Sequence, residues 1–470
     1  MSSIKKNELK LGKLRKVITT EITPTKISYS RREENLENVL NNNSYTNLKI
    51  DVNSNEGSCV TCMGRNLSCG RSSCPVIARF KSFFGNKEDT GKKEIFGASP
   101  PSVFIGRFGY PKVSVGPLTP PMTGDTKIMD ETEQWWQLEL ENILAMRMNL
   151  IRGKSLAKVT LPQDMLSNSV STRQLDMLQT IGLANNSIEL EVYFKKLPTQ
   201  HLKLDADVQP MGPSADIKNI RITSTDTNQW IDKYFRDSDL KAQNAVLELQ
   251  SRYKHQVNQS AITRAFSVGL FGEKKNRKLV PTRWAITAVD TLLGLNYWKK
   301  IQHFPIIDTF RVYEANFLAN RFLILMLPKE WGYELNEAFF PGSAWNKGEN
   351  IALVNDWEGL TGRKTYARIG GCYYAARNMI GSYLHDIKRQ ARVVILRESY
   401  PDFIMPLGVW LTRECVRNAL DEPFRKFNSM EEMLAYVETK MSVPLSIWIK
   451  NSGILSNAKN TLQSSLYRYL

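Results

Sequence analysis

The sequence predicts a mixed α+β protein, with helices and strands sharing the globular part of the chain. Segments of alternating hydrophobicity stand between segments with apolar residues at 3.6-residue spacing, and their order shows no strict strand–helix–strand rhythm. The 470 residues are 42% hydrophobic and 10% aromatic, which is typical of globular proteins and not of disordered or fibrous ones. The sequence contains neither Gly-x-Gly-x-x-Gly nor a Walker phosphate loop, which disfavours the common dinucleotide-binding and P-loop folds.

Local patterns predict the individual elements. Strands are expected where apolar residues alternate or where prolines bracket a short apolar run: 102–107, 112–115, 188–194, 217–222, 310–314, 321–327 and 393–397. Helices are expected where apolar residues recur every three to four positions: 131–152, 162–181, 239–253, 283–300 and 373–391.

Composition divides the chain into four predicted segments. Residues 1–57 form a flexible basic arm, 58–200 an N-terminal domain, 201–455 a C-terminal mixed α/β domain, and 456–470 a binding tail. The first 35 residues hold nine basic and four acidic side chains, and the whole chain carries a formal charge of +16. Such a balance favours polyanionic partners such as nucleic acid or an acidic membrane surface. For the arm itself, DNA contact and an ordinary solvated extension remain open.

The sequence predicts a soluble, cytoplasmic protein without a membrane span. Its longest apolar run, Phe322–Pro328, is far shorter than the roughly 20 residues that cross a bilayer, and residues 1–10 lack the apolar core of a signal peptide.

Four of the six cysteines lie close together, in the pattern Cys59-x2-Cys62-x6-Cys69-x4-Cys74. Thiolates at such spacing are typical ligands of tetrahedral zinc, and a site closed by four of them leaves no position for a substrate. We therefore expect a compact zinc knuckle that stabilises or binds, with an iron–sulfur cluster as the alternative. The other two cysteines stand alone, which indicates a reducing compartment and not a disulfide framework.

The last eight residues resemble the motif that docks proteins onto the sliding clamp PCNA. Gln463 is followed by Leu466 three positions on and by the bulky Tyr469 and Leu470 at six and seven. In one turn of helix the three apolar side chains would form a plug while the glutamine reaches a polar pocket. Leu470 stands where the family pattern has a second aromatic residue. The alternative is an amphipathic terminus without a partner.

Several segments, taken in their order, resemble the archaeal Nre family of DNA-repair proteins. These segments are SVFIGRFGYPKVSVGPLTPP (102–121), DVQPMGPSA (207–215), RAFSVGLFG (264–272), LVPTRWAITAVD (279–290), EANFLANRF (314–322), GRKTYARIGGCYYAA (362–376) and 397–417. Members of this family carry an N-terminal cysteine cluster and a C-terminal PCNA-interacting motif. The resemblance implies a protein that acts on damaged DNA and is recruited by the clamp, but it supplies no catalytic residues.

A basic loop is the candidate nucleic-acid contact within the globular part. It contains Lys274, Lys275, Arg277 and Lys278, and Arg283 follows closely. Such side chains hold phosphates by charge, although a solvated lysine-rich loop has the same composition.

Asp356 and Glu358 are the candidate catalytic residues. Carboxylates near basic side chains suit a magnesium-dependent phosphodiester site, so magnesium is expected if the protein is catalytic. The same residue types also form buried ion pairs. A nucleotide-derived ligand around residues 362–374, a non-catalytic clamp and DNA adaptor, and an RNA enzyme are the further alternatives.

Overall fold

Two β-sheets form the framework, and apart from strand β1 (Ile50–Val52) each is built from one half of the chain. The computed structural model describes residues 50–52, 92–160, 170–199, 208–224, 226–237, 239–346 and 348–458. Both sheets mix parallel and antiparallel pairs and are accompanied by helices. The predicted α+β class is confirmed.

The first sheet has six strands among the described residues, in the order β2-β6-β7-β5-β4-β3. The strands are β2 (Glu94–Ser99), β3 (Val103–Ile105), β4 (Lys112–Thr119), β5 (Ile151–Lys158), β6 (Ile188–Phe194) and β7 (Ser214–Ile222). β5 pairs parallel with β7, and the other pairs are antiparallel.

The second sheet has seven strands in the described part, in the order β1-β11-β10-β12-β9-β8-β13. The strands are β1 (Ile50–Val52), β8 (Phe310–Phe317), β9 (Asn320–Leu327), β10 (Gly332–Phe339), β11 (Ile351–Glu358), β12 (Arg392–Ser399) and β13 (Arg425–Phe427). β1 lies within the range predicted as the basic arm and pairs parallel with β11.

The helices cover the faces of these sheets. They are α1 (Leu140–Asn149), α2 (Val170–Leu183), α3 (Gln229–Arg236), α4 (Ala242–Tyr253), α5 (Gln259–Ser267), α6 (Thr282–Ile301), α7 (Gly371–Asp386), α8 (Trp410–Asp421), α9 (Met430–Lys440) and α10 (Leu445–Asn451). In the described part of the chain, no helix has both the length and the apolar character needed to cross a membrane.

Helices α6 and α7 pack side by side at the junction of two hydrophobic cores. Val289 and Leu293 of α6 belong to the core on the first sheet, whereas Ile301 at its end belongs to a core on the second. The two helices approach closely at Gly381, where a Cβ atom would lie 2.9 Å from the Cβ of Tyr297. Only glycine fits this contact without displacing the tyrosine.

The helix predicted over 131–152 is confirmed only in its central part. The range 131–152 contains a 3₁₀ turn at Thr132–Gln134, then α1, and the first residues of strand β5. The helix ends at Asn149 because the next residues pair with β4, Ile151 opposite Thr119 and Arg152 opposite Leu118. Pairing between distant segments therefore overrides the local helical spacing.

Several predicted sites lie outside the described residues. These are Cys59, Cys62, Cys69 and Cys74, the clamp motif from Gln463 to Leu470, and residues 1–49 and 53–57 of the predicted arm.

Candidate nucleic-acid interface

A groove of about 1200 Å³ opens between the first half of α6 and the loops at 271–276 and 363–366. Among the described residues that line it, one carboxylate, Glu273, accompanies six basic side chains. The basic side chains are Arg107, Lys241, Arg283, Arg363, Lys364 and Arg377. Even when Asp356 and Glu358, the partners of two of these arginines, are counted, basic groups outnumber carboxylates two to one. The groove is therefore an electropositive concavity that suits a polyanion.

The start of α6 brings two distant segments to this groove. Pro281 is the residue immediately before the helix, where its missing backbone N–H leaves no intrahelical hydrogen bond unmade. The backbone N–H of Ile105 donates to Oγ1 of Thr282 at 2.9 Å, which holds strand β3 beside the helix. Arg107, just after β3, and Arg283, at the start of α6, consequently line the same concavity.

Small side chains on one face of α6 make room for the groove. Thr287, Ala288 and Thr291 line it at helical spacing. The hydroxyls of both threonines donate to helix carbonyls, Thr287 to Arg283 at 3.4 Å and Thr291 to Thr287 at 2.7 Å. These hydroxyls are therefore turned back onto the helix.

Two exposed aromatic rings flank the groove. Trp284 is 44% exposed, and its ring centroid lies 5.3 Å from that of Tyr110 in the β3–β4 turn. Tyr366 is 61% exposed, and its centroid lies 5.2 Å from that of the buried Tyr374. Each of these rings thus packs against a second ring, which is exposed in the case of Tyr110 and buried in the case of Tyr374.

Asp356 organises the loop that carries Lys364 and Tyr366. Arg363 forms a two-pronged ion pair with its carboxylate at 2.8 and 3.0 Å, and the backbone N–H of Arg368 donates to it at 2.6 Å. Burial acts to raise the pKa of Asp356, but these hydrogen bonds outweigh it and hold the pKa below its usual value. Gly362, at a φ of +69°, allows the tight turn that brings Arg363 back to the strand.

Glu358 lies two residues further on the same face of β11, and its side chain is buried. Its Oε1 accepts from Nε of Arg377 at 2.7 Å and from Nε1 of Trp331 at 3.3 Å. Oε2 of Glu358 has no hydrogen-bond partner among the described atoms.

The predicted catalytic pair therefore lies beneath the groove, with each carboxylate held by an arginine. Magnesium prefers several oxygen ligands. Among the described residues, no group of three or more aspartate, glutamate, histidine or cysteine side chains is arranged to hold a metal ion. A catalytic role for Asp356 and Glu358 stays a prediction, and the structure shows each carboxylate accepting a hydrogen bond from an arginine that lines the groove.

The predicted basic loop divides into two kinds of side chain. Lys274, Lys275 and Lys278 are exposed but do not line the groove, whereas Arg283 does. Arg277 is buried, and its guanidinium donates to the carbonyls of Gly272 at 2.8 Å and Phe235 at 2.7 Å. Arg277 thus fastens the loop to α3. Phosphate contact by the members of this loop stays a prediction.

No chemical motif identifies three residues of this region: Arg107, which lines the groove, Tyr110, which packs on the groove residue Trp284, and Lys241, which also lines the groove. A usable signal exists for the first two: residues 107–110 read Arg-Phe-Gly-Tyr, and a tight turn places large aromatic side chains where burial is difficult. Phe108 and Tyr110 are indeed 64% and 52% exposed. Lys241 offers no such signal, because an isolated lysine before a helix is common.

Comparison with known proteins places the chain among archaeal sequences. The family model for the N-terminal part of archaeal Nre matches residues 68–346, and the model for the C-terminal part matches 358–469. No solved structure matches the chain.

Three curated relatives carry the name of a DNA repair protein. NreB of Archaeoglobus fulgidus is 36% identical over 413 residues, which cover 88% of this chain and 100% of that protein. NreA of the same organism is 32% identical, covering 80% of this chain and 92% of the relative. NreA of Haloferax volcanii is 29% identical, covering 74% and 83%. The two family models and the full-length match to NreB show that this chain belongs to the archaeal Nre family.

Proposed function

We propose that this chain acts in DNA repair by binding DNA in the basic groove beside α6. The names of its relatives support the process, and the groove supports the binding. The observation that carries the proposal is the meeting of basic side chains from distant segments, Arg107, Lys241, Arg283 and Lys364, at one concavity. Phosphate contacts supply most of the affinity of proteins for nucleic acid and fix its position on the surface.

Charge reversal in the groove tests this proposal. Lys241 and Lys364 are exposed, so Lys241→Glu with Lys364→Glu changes charge with little expected effect on packing. A matched control, Lys218→Glu with Lys426→Glu, makes the same change in net charge at exposed positions that do not line the groove. Affinity for a labelled DNA is measured by fluorescence anisotropy over a series of salt concentrations.

The groove variant is expected to bind DNA more weakly. The slope of its log affinity plotted against log salt concentration is expected to be shallower by about 2, because two phosphate contacts are lost. The control is expected to keep a slope close to that of the unmodified chain. Equal loss in both variants, or no loss in either, contradicts groove binding.

Recruitment by the sliding clamp is proposed from the C-terminal motif. Its support is the spacing of Gln463, Leu466, Tyr469 and Leu470, together with the family resemblance. Calorimetric titration of the clamp with the intact chain and with a variant lacking residues 463–470 tests it. Binding by the intact chain that disappears with the tail is expected, and equal binding by both contradicts the proposal.

Structural zinc is proposed at Cys59, Cys62, Cys69 and Cys74, because four closely spaced thiolates suit tetrahedral zinc. Elemental analysis of the purified chain is expected to give about one zinc per molecule, and Cys59→Ser with Cys62→Ser is expected to lower that value. Iron with a brown chromophore would instead identify a cluster.

We propose DNA binding without cleavage, and the contacts of Asp356 support this proposal. The oxygens of Asp356 already accept from Arg363 and two backbone N–H groups, Arg368 and Trp357, which leaves little capacity for a cation. Incubation of damaged DNA with the chain and magnesium is expected to give no products. Cleavage that is lost in Asp356→Asn while the fold is retained would support the nuclease alternative.

A further inference from the structure

We infer that the groove takes an unpaired DNA strand, with bases stacking on Trp284 and Tyr366 and phosphates held by the basic side chains between and beside them. This inference rests on the proposed DNA binding and adds the class of substrate. Base faces are hidden inside a duplex, whereas an unpaired strand offers both free base faces and phosphates.

The two rings are built as platforms. Large aromatic side chains are normally buried, yet Trp284 and Tyr366 are about half exposed and line the same concavity. Tyr110 supports the first ring and Tyr374 the second. The hydroxyl of Tyr374 accepts the backbone N–H of Ala367 at 2.9 Å, which fixes the segment next to Tyr366. The platforms are therefore positioned before a ligand arrives.

Charged groups accompany each ring. Arg283 precedes Trp284 in the first turn of α6, and Lys364 lies two residues before Tyr366 in its loop. A protein-docking surface has a continuous apolar centre with few charges. Here basic side chains interrupt the apolar surface, which is the combination found in grooves that follow a nucleic-acid strand.

The dimensions suit a chain molecule. The volume of about 1200 Å³ exceeds the roughly 300–1,000 Å³ that is usual for small-ligand sites. From Trp284 to Leu295, both of which line the groove, α6 rises by about 16 Å at 1.5 Å per residue. Stacked bases lie about 3.4 Å apart, so this floor matches a segment of roughly four to five nucleotides.

Removal of each platform tests the inference. Trp284→Ala and Tyr366→Ala are compared with Trp357→Ala, which removes a ring that is 52% exposed but does not line the groove. Anisotropy gives the affinity of the intact chain and each variant for a mixed-sequence 12-nucleotide strand, the same strand as a duplex, and its RNA equivalent. Thermal unfolding confirms that each variant is folded.

The intact chain is expected to prefer the unpaired strand to the duplex. Each groove variant is expected to lose roughly 5- to 150-fold in affinity for the strand, the effect of one stacked base, with little change for the duplex. Trp357→Ala is expected to behave like the unmodified chain. Equal losses on strand and duplex, or none, overturn the inference.

The outcome also separates this inference from the proposed function. If the charge reversals at Lys241 and Lys364 weaken DNA binding but the ring variants do not, DNA binding stands and strand specificity fails. If neither set changes binding, the groove is not the DNA site. If the RNA strand binds at least tenfold more tightly than the DNA strand, the assignment to DNA is overturned.

Discussion

The groove and the buried interior use arginine in opposite ways. In the groove, basic side chains outnumber carboxylates and are accompanied by exposed aromatic rings. In the interior, Arg397 and Arg413 are each at least nine-tenths buried, and each meets a buried carboxylate. A net charge of +16 does not reveal which arginines are available to a polyanion. The local balance of carboxylates decides this.

Arg397 illustrates the interior setting. Its guanidinium pairs with Glu337, and Nε and Nη2 donate to Oδ1 of Asn320 at 3.0 and 2.8 Å. The rings of Phe322 and Phe403 lie 5.3 and 5.6 Å from the guanidinium carbon. Paired in this way, the charge serves the packing of the second sheet and is not available to a ligand.

Asp290 joins helices that pack on two different hydrophobic cores. It lies on α6, pairs with Arg413 of α8, and accepts from Gln259 of α5 at 2.7 Å and from Asn378 of α7 at 3.0 Å. A single buried carboxylate therefore ties four helices together.

The largest expected effect follows from breaking an interior pair. Arg397→Met leaves the carboxylate of Glu337 buried without its cation, which costs about 3–5 kcal/mol of unfolding free energy. Urea denaturation measures the loss. Arg397→Met combined with Glu337→Leu is expected to recover part of it, because both charges are then absent. A change of less than about 1 kcal/mol in the single variant would contradict the structural role.

A pH effect is expected at Glu414, which lies one residue beyond Arg413. Burial and the nearby Glu133 raise its pKa to about 7 against the opposing effect of Arg417 and Arg413. Because the pKa is raised in the folded chain, its contribution to stability is complete below about pH 4.5 and is lost as the pH rises through about 7. The shift corresponds to about 3 kcal/mol.

Glu414→Gln removes this titration. Unfolding free energies of the variant and the unmodified chain are compared across the range from pH 4.5 to pH 8, and their difference is expected to move by about 3 kcal/mol in favour of the variant. Parallel pH profiles would show that Glu414 titrates normally.

An intermediate effect is expected at Asp356, on the border between interior and groove. Asp356→Asn weakens the ion pair with Arg363 and is expected to cost about 1.5–3 kcal/mol, with faster hydrogen exchange in residues 359–370. The control Asp386→Asn removes an exposed pair with Lys254, for which less than about 1 kcal/mol is expected. Unchanged stability in Asp356→Asn would favour a purely catalytic role.

The smallest effect is expected at the two lysines of the basic loop that do not line the groove, Lys274 and Lys275. Lys274→Ala with Lys275→Ala removes exposed charges, one of which lies 3.6 Å from Glu273. The free energy of unfolding is expected to change by less than about 0.5 kcal/mol. The slope of log DNA affinity against log salt concentration is expected to change by less than about 1, the effect of one phosphate contact. A slope shallower by about 2 would show that both lysines contact phosphate and that the interface includes this loop.

Sequence patterns predict the fold best where one local signal acts alone. The helix predicted over 283–300 is confirmed by α6, and the strand predicted over 188–194 is confirmed by β6. Strand β10 was not predicted, because both of its faces are buried and polar residues interrupt the alternation. One of these, Glu334, accepts backbone N–H groups of Gly453 and Ile454 at 2.9 and 3.0 Å. That contact spans more than a hundred residues and leaves no local pattern.

The sequence predicts the basic character of the groove, but it identifies only some of the residues that line it. A cluster of basic residues predicts phosphate contact, and Arg283 of that cluster lines the groove. Arg277 has the same charge but is buried against carbonyl oxygens, because the loop folds back onto α3. Lys241 and Arg107 reach the groove only through packing between distant segments. Sequence therefore indicates the chemistry, and tertiary contacts select the residues.

The glycine contact between α6 and α7 affects the separation of the two exposed rings of the groove. Trp284 stands near the start of α6, and the loop with Tyr366 leads into the start of α7. Gly381 lets the two helices meet at Tyr297. The spacing of this helix pair therefore determines how far apart the two exposed rings lie across the groove. The width of the groove is thus set at a helix contact in the interior of the protein, at residues that do not line the groove.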